Sequence, residues 1–167
     1  VRDDLLGDDA WLVYVPAGGN PLKAGGPIAA VRDRLEMLEI ALRDEVRTAV
    51  WTDEIDRVPS DGGPTYWVDS IERARAVLGD GADLRFLIGA DSAVQFHRWR
   101  AHERILELAQ PVVVLRPPLV TAGQVVAAIA ETGAWHDAML ERWRGGVYET
   151  RPMAVSSTLA RTGAGAA

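Results

Sequence analysis

At 167 residues and a net charge of −6, the chain is long enough for one domain with a real core, and it lacks the basic runs that neutralise a nucleic-acid backbone. It has no cysteine, which removes disulfides, thiolate catalysis and cysteine-held metals. No apolar run reaches the ~18 residues of a membrane span and no signal peptide opens the sequence, so a cytoplasmic protein with neither nucleic-acid nor membrane partners is expected.

Trp11 to Val15 predicts a short strand closed by Pro16, and Ala17 to Pro27 a Gly/Pro-rich loop holding Asn20, Pro21 and Lys23. Ile28 to Arg43 reads as a helix with Val31, Leu35, Leu38 and Leu42 on one face. Val46 to Trp51 is a second strand, leading into Asp53–Arg57. A turn-rich segment through Pro64 precedes a helix from Val68 to Leu78, with Ile71, Ala74 and Leu78 inward. Leu84 to Ile88 is a third strand that stops at Gly89, and Asp91 and Ser92 follow where the chain turns into a helix. Pro111 to Leu115 is the fourth, an unbroken apolar run as expected of a strand buried on both faces. Val125 to Ile129 predicts another helix and Tyr148 to Val155 a last strand. Residues 1–161 then form a single domain, and 162–167 a flexible tail of small residues. Strands separated by helices pair in parallel through βαβ crossovers, which predicts an α/β protein with a doubly wound parallel sheet in three layers.

In such sheets ligands bind at the carboxyl ends of the strands, which places Gly89, Asp91 and Ser92 where a nucleotide site is expected. Turn geometry and N-capping are the other uses of Gly and Asp at these positions. The remaining motifs run in a definite order. Val15-Pro16 is followed by Asn20-Pro21-Leu22-Lys23, then Arg34-Leu35-Glu36-Met37-Leu38, Asp53 to Arg57, and Gly63-Pro64-Thr65-Tyr66. Ile88 to Ser92, Trp99, Leu115-Arg116-Pro117 and Val155 to Arg161 complete the series. In order and spacing it resembles the bacterial nicotinate-nucleotide adenylyltransferase family over nearly all of residues 11–161. Asp53 to Arg57 is similar to that family's E-I-x-R segment, Gly63 to Tyr66 to its S-Y-T segment, and Ser156 to Arg161 to its S-S-T-x-x-R motif.

Each matched residue also has a physical reading. Gly89 has no side chain, so a nucleotide can approach the backbone closely. Asp91 can accept hydrogen bonds from a ribose or fix the turn. Trp99 offers a flat, electron-rich face for stacking on a pyridinium-like ring, worth about 0.5–2 kcal/mol, with core packing as its other use. The resemblance implies that Thr65 and Tyr66 present backbone amides to the pyridine carboxylate, although Trp67 stands where the family has a second threonine. Lys23 can neutralise phosphate or simply be solvated. Ser156, Ser157 and Thr158 can cap a helix start whose amides bind phosphate, with Arg161 as the cation, or form an ordinary N-cap. Arg116, before a proline, is structural or faces the triphosphate. His97, His102 and His136 show no metal-ligand or triad spacing, and His97 and His102 read as surface residues.

The resemblance implies a Rossmann-like fold, N-terminally truncated. Family members begin with a strand, a glycine-rich turn and an H-x-G-H motif, which residues 1–167 do not contain. Arg2 to Leu6 resembles the end of the helix that follows that motif. The chain is therefore expected to be a fragment of a true enzyme, with a misassigned start codon and a degenerate homologue as the other readings. Without the central strand, Trp11–Val15 and Leu84–Ile88 must pair directly or leave open edges, so this chain alone is expected to be less stable than a full-length relative. The implied reaction is adenylyl transfer from ATP, carried with Mg²⁺, to nicotinate mononucleotide, giving nicotinate adenine dinucleotide and pyrophosphate. Lys23 and Arg161 are then the phosphate-handling residues. An inactive nucleotide-binding or partner-binding homologue, and an enzyme for nicotinamide mononucleotide or phosphopantetheine, are the alternatives. Homo-oligomerisation stays open.

Overall fold

A computed structural model describes residues 7, 9–18, 29–58 and 63–148 of the chain. It divides into two compact units, Val1–Ala82 and Asp83–Ala167. In the first, β1 (Leu12–Tyr14) and β2 (Thr48–Val50) pair in parallel, Leu12 opposite Thr48 and Tyr14 opposite Val50. A parallel pair needs a crossover, and α1 (Val31–Leu42) lies on it. Its leucines at 35, 38 and 42 are half-buried as their spacing predicts, while Val31 is exposed at the helix start. After β2 comes a single helical turn, α2 (Asp53–Asp56), and then α3 (Trp67–Leu78), which buries Val68, Ser70 and Ile71. Leu78 departs from the expected inward face. It is 57% exposed, because α3 stops there at Gly79, whose φ of 76° turns the chain out of the helix beyond the buried face.

The second unit holds a three-stranded parallel sheet in the order β3-β4-β5, from β3 (Arg85–Gly89), β4 (Gln110–Val114) and β5 (Val147–Tyr148). Arg85 lies opposite Gln110, Gly89 opposite Val114, and Val113 opposite Val147. The strand predicted for Pro111–Leu115 is the middle one, and Pro111, Val112, Val113 and Leu115 are all buried. Between β3 and β4 run α4 (Ala90–Val94), a 3₁₀ turn at Phe96–Arg98, and α5 (His102–Leu108). Between β4 and β5 run α6 (Ala122–Glu131) and α7 (Asp137–Gly146). Phe96, Ile105, Leu115, Val125, Ile129 and Trp143 are among the fully enclosed apolar side chains of this unit.

The architecture is thus mixed α/β with every strand pair parallel, of the Rossmann-like kind. Among the described residues the strands form two sheets, so β1 and β3 each keep an edge without a ladder partner. Of the last predicted strand, Tyr148 lies in β5, and Glu149 to Val155 lie outside the described residues. Residues 19–27 of the predicted loop, Ile28 of the predicted helix and the predicted tail at 162–167 also lie outside them.

Candidate functional site

In the second unit β3 runs out at Gly89 and the chain enters α4 at Ala90, which puts Asp91 in the first helical turn. Because Gly89 stands opposite Val114 in the register, Arg116 leaves β4 at the same end of the sheet. The Arg116 amide donates to the Leu119 carbonyl at 3.1 Å, closing a turn over Pro117 and Pro118, whose linking peptide is cis. From that anchored position Nη1 of Arg116 donates to Oδ1 of Asp91 at 3.4 Å. Gly89 lies beside the pair: a Cβ there would stand 2.8 Å from Asp91 Oδ1 and 3.3 Å from Arg116 Cδ. The pair is partly exposed, so it contributes at most about 1 kcal/mol and opens readily. An acceptor suited to a hydroxyl and a fork-shaped cation suited to a phosphate therefore sit together above a strand end with little side-chain bulk. Arg116, 25 residues on from Asp91, is brought beside Gly89 and Asp91.

Trp99 follows the 3₁₀ turn and is half-buried, its ring centroid 5.0 Å from Phe96 at an interplanar angle of 40°. Phe96 is the hub of an aromatic cluster, with Phe86 stacked at 5.4 Å and Trp143 edge-on at 5.3 Å. One side of Trp99 thus belongs to the core, and the remainder of the ring is held in one pose. Neither nearby histidine is fully exposed, in contrast to the surface reading. His97 Nδ1 lies 3.1 Å from the Val94 carbonyl and His102 Nδ1 3.3 Å from that of Trp99, and the His102 ring also packs edge-on to Trp135 at 5.2 Å.

The first unit contains a buried polar network that the sequence did not disclose. Asp53, Glu54, Thr65 and Ser70 are 5%, 6%, 5% and 1% exposed. Arg57 Nε donates to Asp53 Oδ2 at 2.8 Å and its Nη2 to Ser70 Oγ at 2.7 Å, while Arg73 Nε donates to Asp53 Oδ1. Burial by itself pushes the Asp53 carboxyl up, but hydrogen bonds and charge from Arg57 and Arg73 outweigh it and hold the group below the usual carboxylate range. Thr65 Oγ1 donates to Glu54 Oε2 at 3.1 Å, and the Gly18 amide donates to the same oxygen at 3.4 Å. Ser70 Oγ lies 3.4 Å from both Asp53 Oδ2 and Glu54 Oε1, and its single proton serves one of them at a time. Thr65 and Tyr66 immediately precede α3, whose N-terminus has no side-chain cap, so the positive end of the helix dipole lies at Tyr66. The only hint of the network in the sequence is Glu54-x-x-Arg57; Ser70 and Arg73 carry no signal of their own. Lys23, Ser156, Ser157, Thr158 and Arg161 lie outside the described residues.

A parallel α/β protein with a small strand-end residue, a carboxylate and a guanidinium at one end of its sheet is the class these observations define. Within that class, the chain belongs to the cytidylyltransferase-like family, whose model matches residues 4–163. A probable nicotinate-nucleotide adenylyltransferase of Chromobacterium violaceum is 37% identical over 115 residues, covering 69% of this chain and 51% of that protein. A protein of the same description from Solibacter usitatus is 36% identical over 106 residues, covering 64% of this chain and 54% of the relative. One from Streptomyces coelicolor is 38% identical over 106 residues, with coverages of 64% and 54%. The chain spans about half the length of the curated relatives it matches.

Proposed function

We propose that the protein catalyses adenylyl transfer from MgATP to nicotinate mononucleotide, forming nicotinate adenine dinucleotide and releasing pyrophosphate. A phosphate oxygen of the mononucleotide attacks the α-phosphorus of ATP, the new P–O–P bridge forms, and the bond to pyrophosphate breaks. The observation that carries this reading is the convergence of Gly89, Asp91 and Arg116 at one strand end, in a chain whose relatives share that described activity. Such transfer is mostly positioning and charge stabilisation. Arg116 takes phosphate oxygens and Asp91 a ribose hydroxyl, while Lys23, Arg161 and the Ser156–Thr158 segment add phosphate donors. Mg²⁺ enters on the nucleotide's own phosphates as part of the substrate. The Thr65–Tyr66 backbone, at the positive end of α3, takes the pyridine carboxylate, and Trp99 offers the stacking face. The cytoplasm, where ATP is abundant, is the assigned compartment; among the described residues no helix is long and apolar enough to cross a membrane.

The test is product analysis with the full-length protein, MgATP and each of three acceptors. Nicotinate adenine dinucleotide is expected, with nicotinamide mononucleotide a poor acceptor and phosphopantetheine inert. Arg116→Ala is expected to lower kcat/KM by about 10- to 100-fold, the loss of one charged hydrogen bond to the transferring group. Preferred turnover of another acceptor would overturn the substrate assignment. Nucleotide binding with no pyrophosphate release would make the protein a binding module.

A further inference from the structure

Asp53 and Glu54 are adjacent and equally buried, yet their partners differ in kind. Both guanidiniums go to Asp53. Among the described residues the donors that reach Glu54 are neutral: the Gly18 amide and the Thr65 hydroxyl both hold Oε2, and the Ser70 hydroxyl lies 3.4 Å from Oε1, sharing its one proton with Asp53. A carboxylate that takes only neutral donors gains little from simple charge neutralisation, but it fixes the position of every group that donates to it. Gly18 is also packed against the same residue: a Cβ there would stand 2.3 Å from the Glu54 carbonyl oxygen and 2.7 Å from Val58 Cγ2. Because that oxygen is backbone, the contact cannot relax cheaply. At the preceding residue, Arg34 Nη1 donates to the Ala17 carbonyl at 2.7 Å. The Ala17–Gly18 segment after β1 and the segment carrying Thr65 and Tyr66 thus share one anchor.

We infer that Glu54 is a positioning residue for the acceptor: its carboxylate fixes the Thr65–Tyr66 backbone relative to the loop after β1 and so sets the affinity for the pyridine carboxylate. This rests on the acceptor assignment made above. Glu54 touches no substrate in this role. It acts through the Thr65 side chain, which it turns inward, leaving the backbone on either side of that residue in a single arrangement before α3 begins.

Glu54→Gln keeps the shape but removes the charge and leaves one oxygen where the carboxylate had two, so the Gly18 amide, which can only donate, and the two hydroxyls must rearrange around it. In the full-length protein it is expected to raise KM for nicotinate mononucleotide by about tenfold, with KM for MgATP and kcat changing by no more than about threefold. Thr65→Val, which removes only the hydroxyl and keeps the backbone, is expected to shift the same KM in the same direction. The double variant should be little worse than the worse single one, as for two residues acting through one contact. Independently of any ligand, hydrogen exchange at the Gly18 amide should quicken in Glu54→Gln. Should Glu54→Gln fail to fold, Thr65→Val carries the test alone. Equal rises in both KM values, or a wild-type acceptor KM in either folded variant, would overturn the inference while leaving the reaction intact. A wild-type protein that does not bind nicotinate mononucleotide would remove the acceptor assignment, and this role with it.

Discussion

Asp53 is where pH acts most directly on the first unit. Its carboxyl is held below the usual range by Arg57 and Arg73, whose hydrogen bonds and charge exceed the opposing effect of burial. A carboxylate whose folded pKa lies below its unfolded value of about 3.9 contributes stability in full above that pH and loses it as the pH falls through the folded value. Asp53→Asn should therefore cost about 1.5–3 kcal/mol at neutral pH. The gap between variant and wild type should narrow steadily below about pH 4. Urea midpoints at pH 7 and pH 3 check this; an equal gap at both would show that the residue acts through shape and not charge. Little of this was legible in the sequence. Glu54 and Arg57 stood out as a motif, but Ser70, Arg73 and the Thr65 hydroxyl become partners only once α2 and α3 lie together. Burial of four polar side chains around one turn is a property of packing, which no local pattern encodes. At the strand end the reverse held for Gly89 and Asp91, since a glycine that ends an apolar run is a local signal. Their pairing with Arg116 depends on the β3–β4 register and was not readable.

Elements with continuous apolar patterns were the legible ones. β4 reads as a run of valines because both its faces are covered, and α1 shows its leucines at helical spacing even though none is fully buried. α5 and α7 went unread for different reasons. α5 is only 7 residues long and starts after Ala101, which sits at φ 50° with no capping side chain. α7 ends in two glycines and fully buries only Trp143 and Gly146, so it carries almost no stripe. α6 shows the opposite economy of signal. Thr121 Oγ1 accepts from the Gln124 amide at 3.2 Å, and Gln124 Oε1 accepts from the Thr121 amide at 3.1 Å, a reciprocal capping box. Thr121→Ala is expected to cost about 1 kcal/mol, read as a lower urea midpoint with unchanged slope. Thr121→Ser should recover most of it; no loss in the alanine variant would mean that the helix start is held by its packing alone.

At the scale of the whole molecule, the family assignment and the parallel architecture agree, while the relatives extend well beyond the stretch matched here. A net charge of −6 gives no long-range attraction for anionic nucleotides, so binding must come from local groups such as Arg116. That is why composition argued against a nucleic-acid surface and yet said nothing against a nucleotide. The pairing of strands has a consequence in time. Leu12 meets Thr48, Arg85 meets Gln110 and Val113 meets Val147, so none of these ladders among the described residues can be zipped from a tight turn. Refolding followed by tryptophan emission is expected on the scale of about milliseconds to seconds, slower than a helical bundle of this size. During synthesis, β1 and β2 are both available once Val50 has emerged, but β5 reaches β4 only after α6 and α7 have been made. For that interval the Val113–Val114 backbone on the β5 side is a bare, apolar edge, and it is there that a nascent chain would first take a wrong partner.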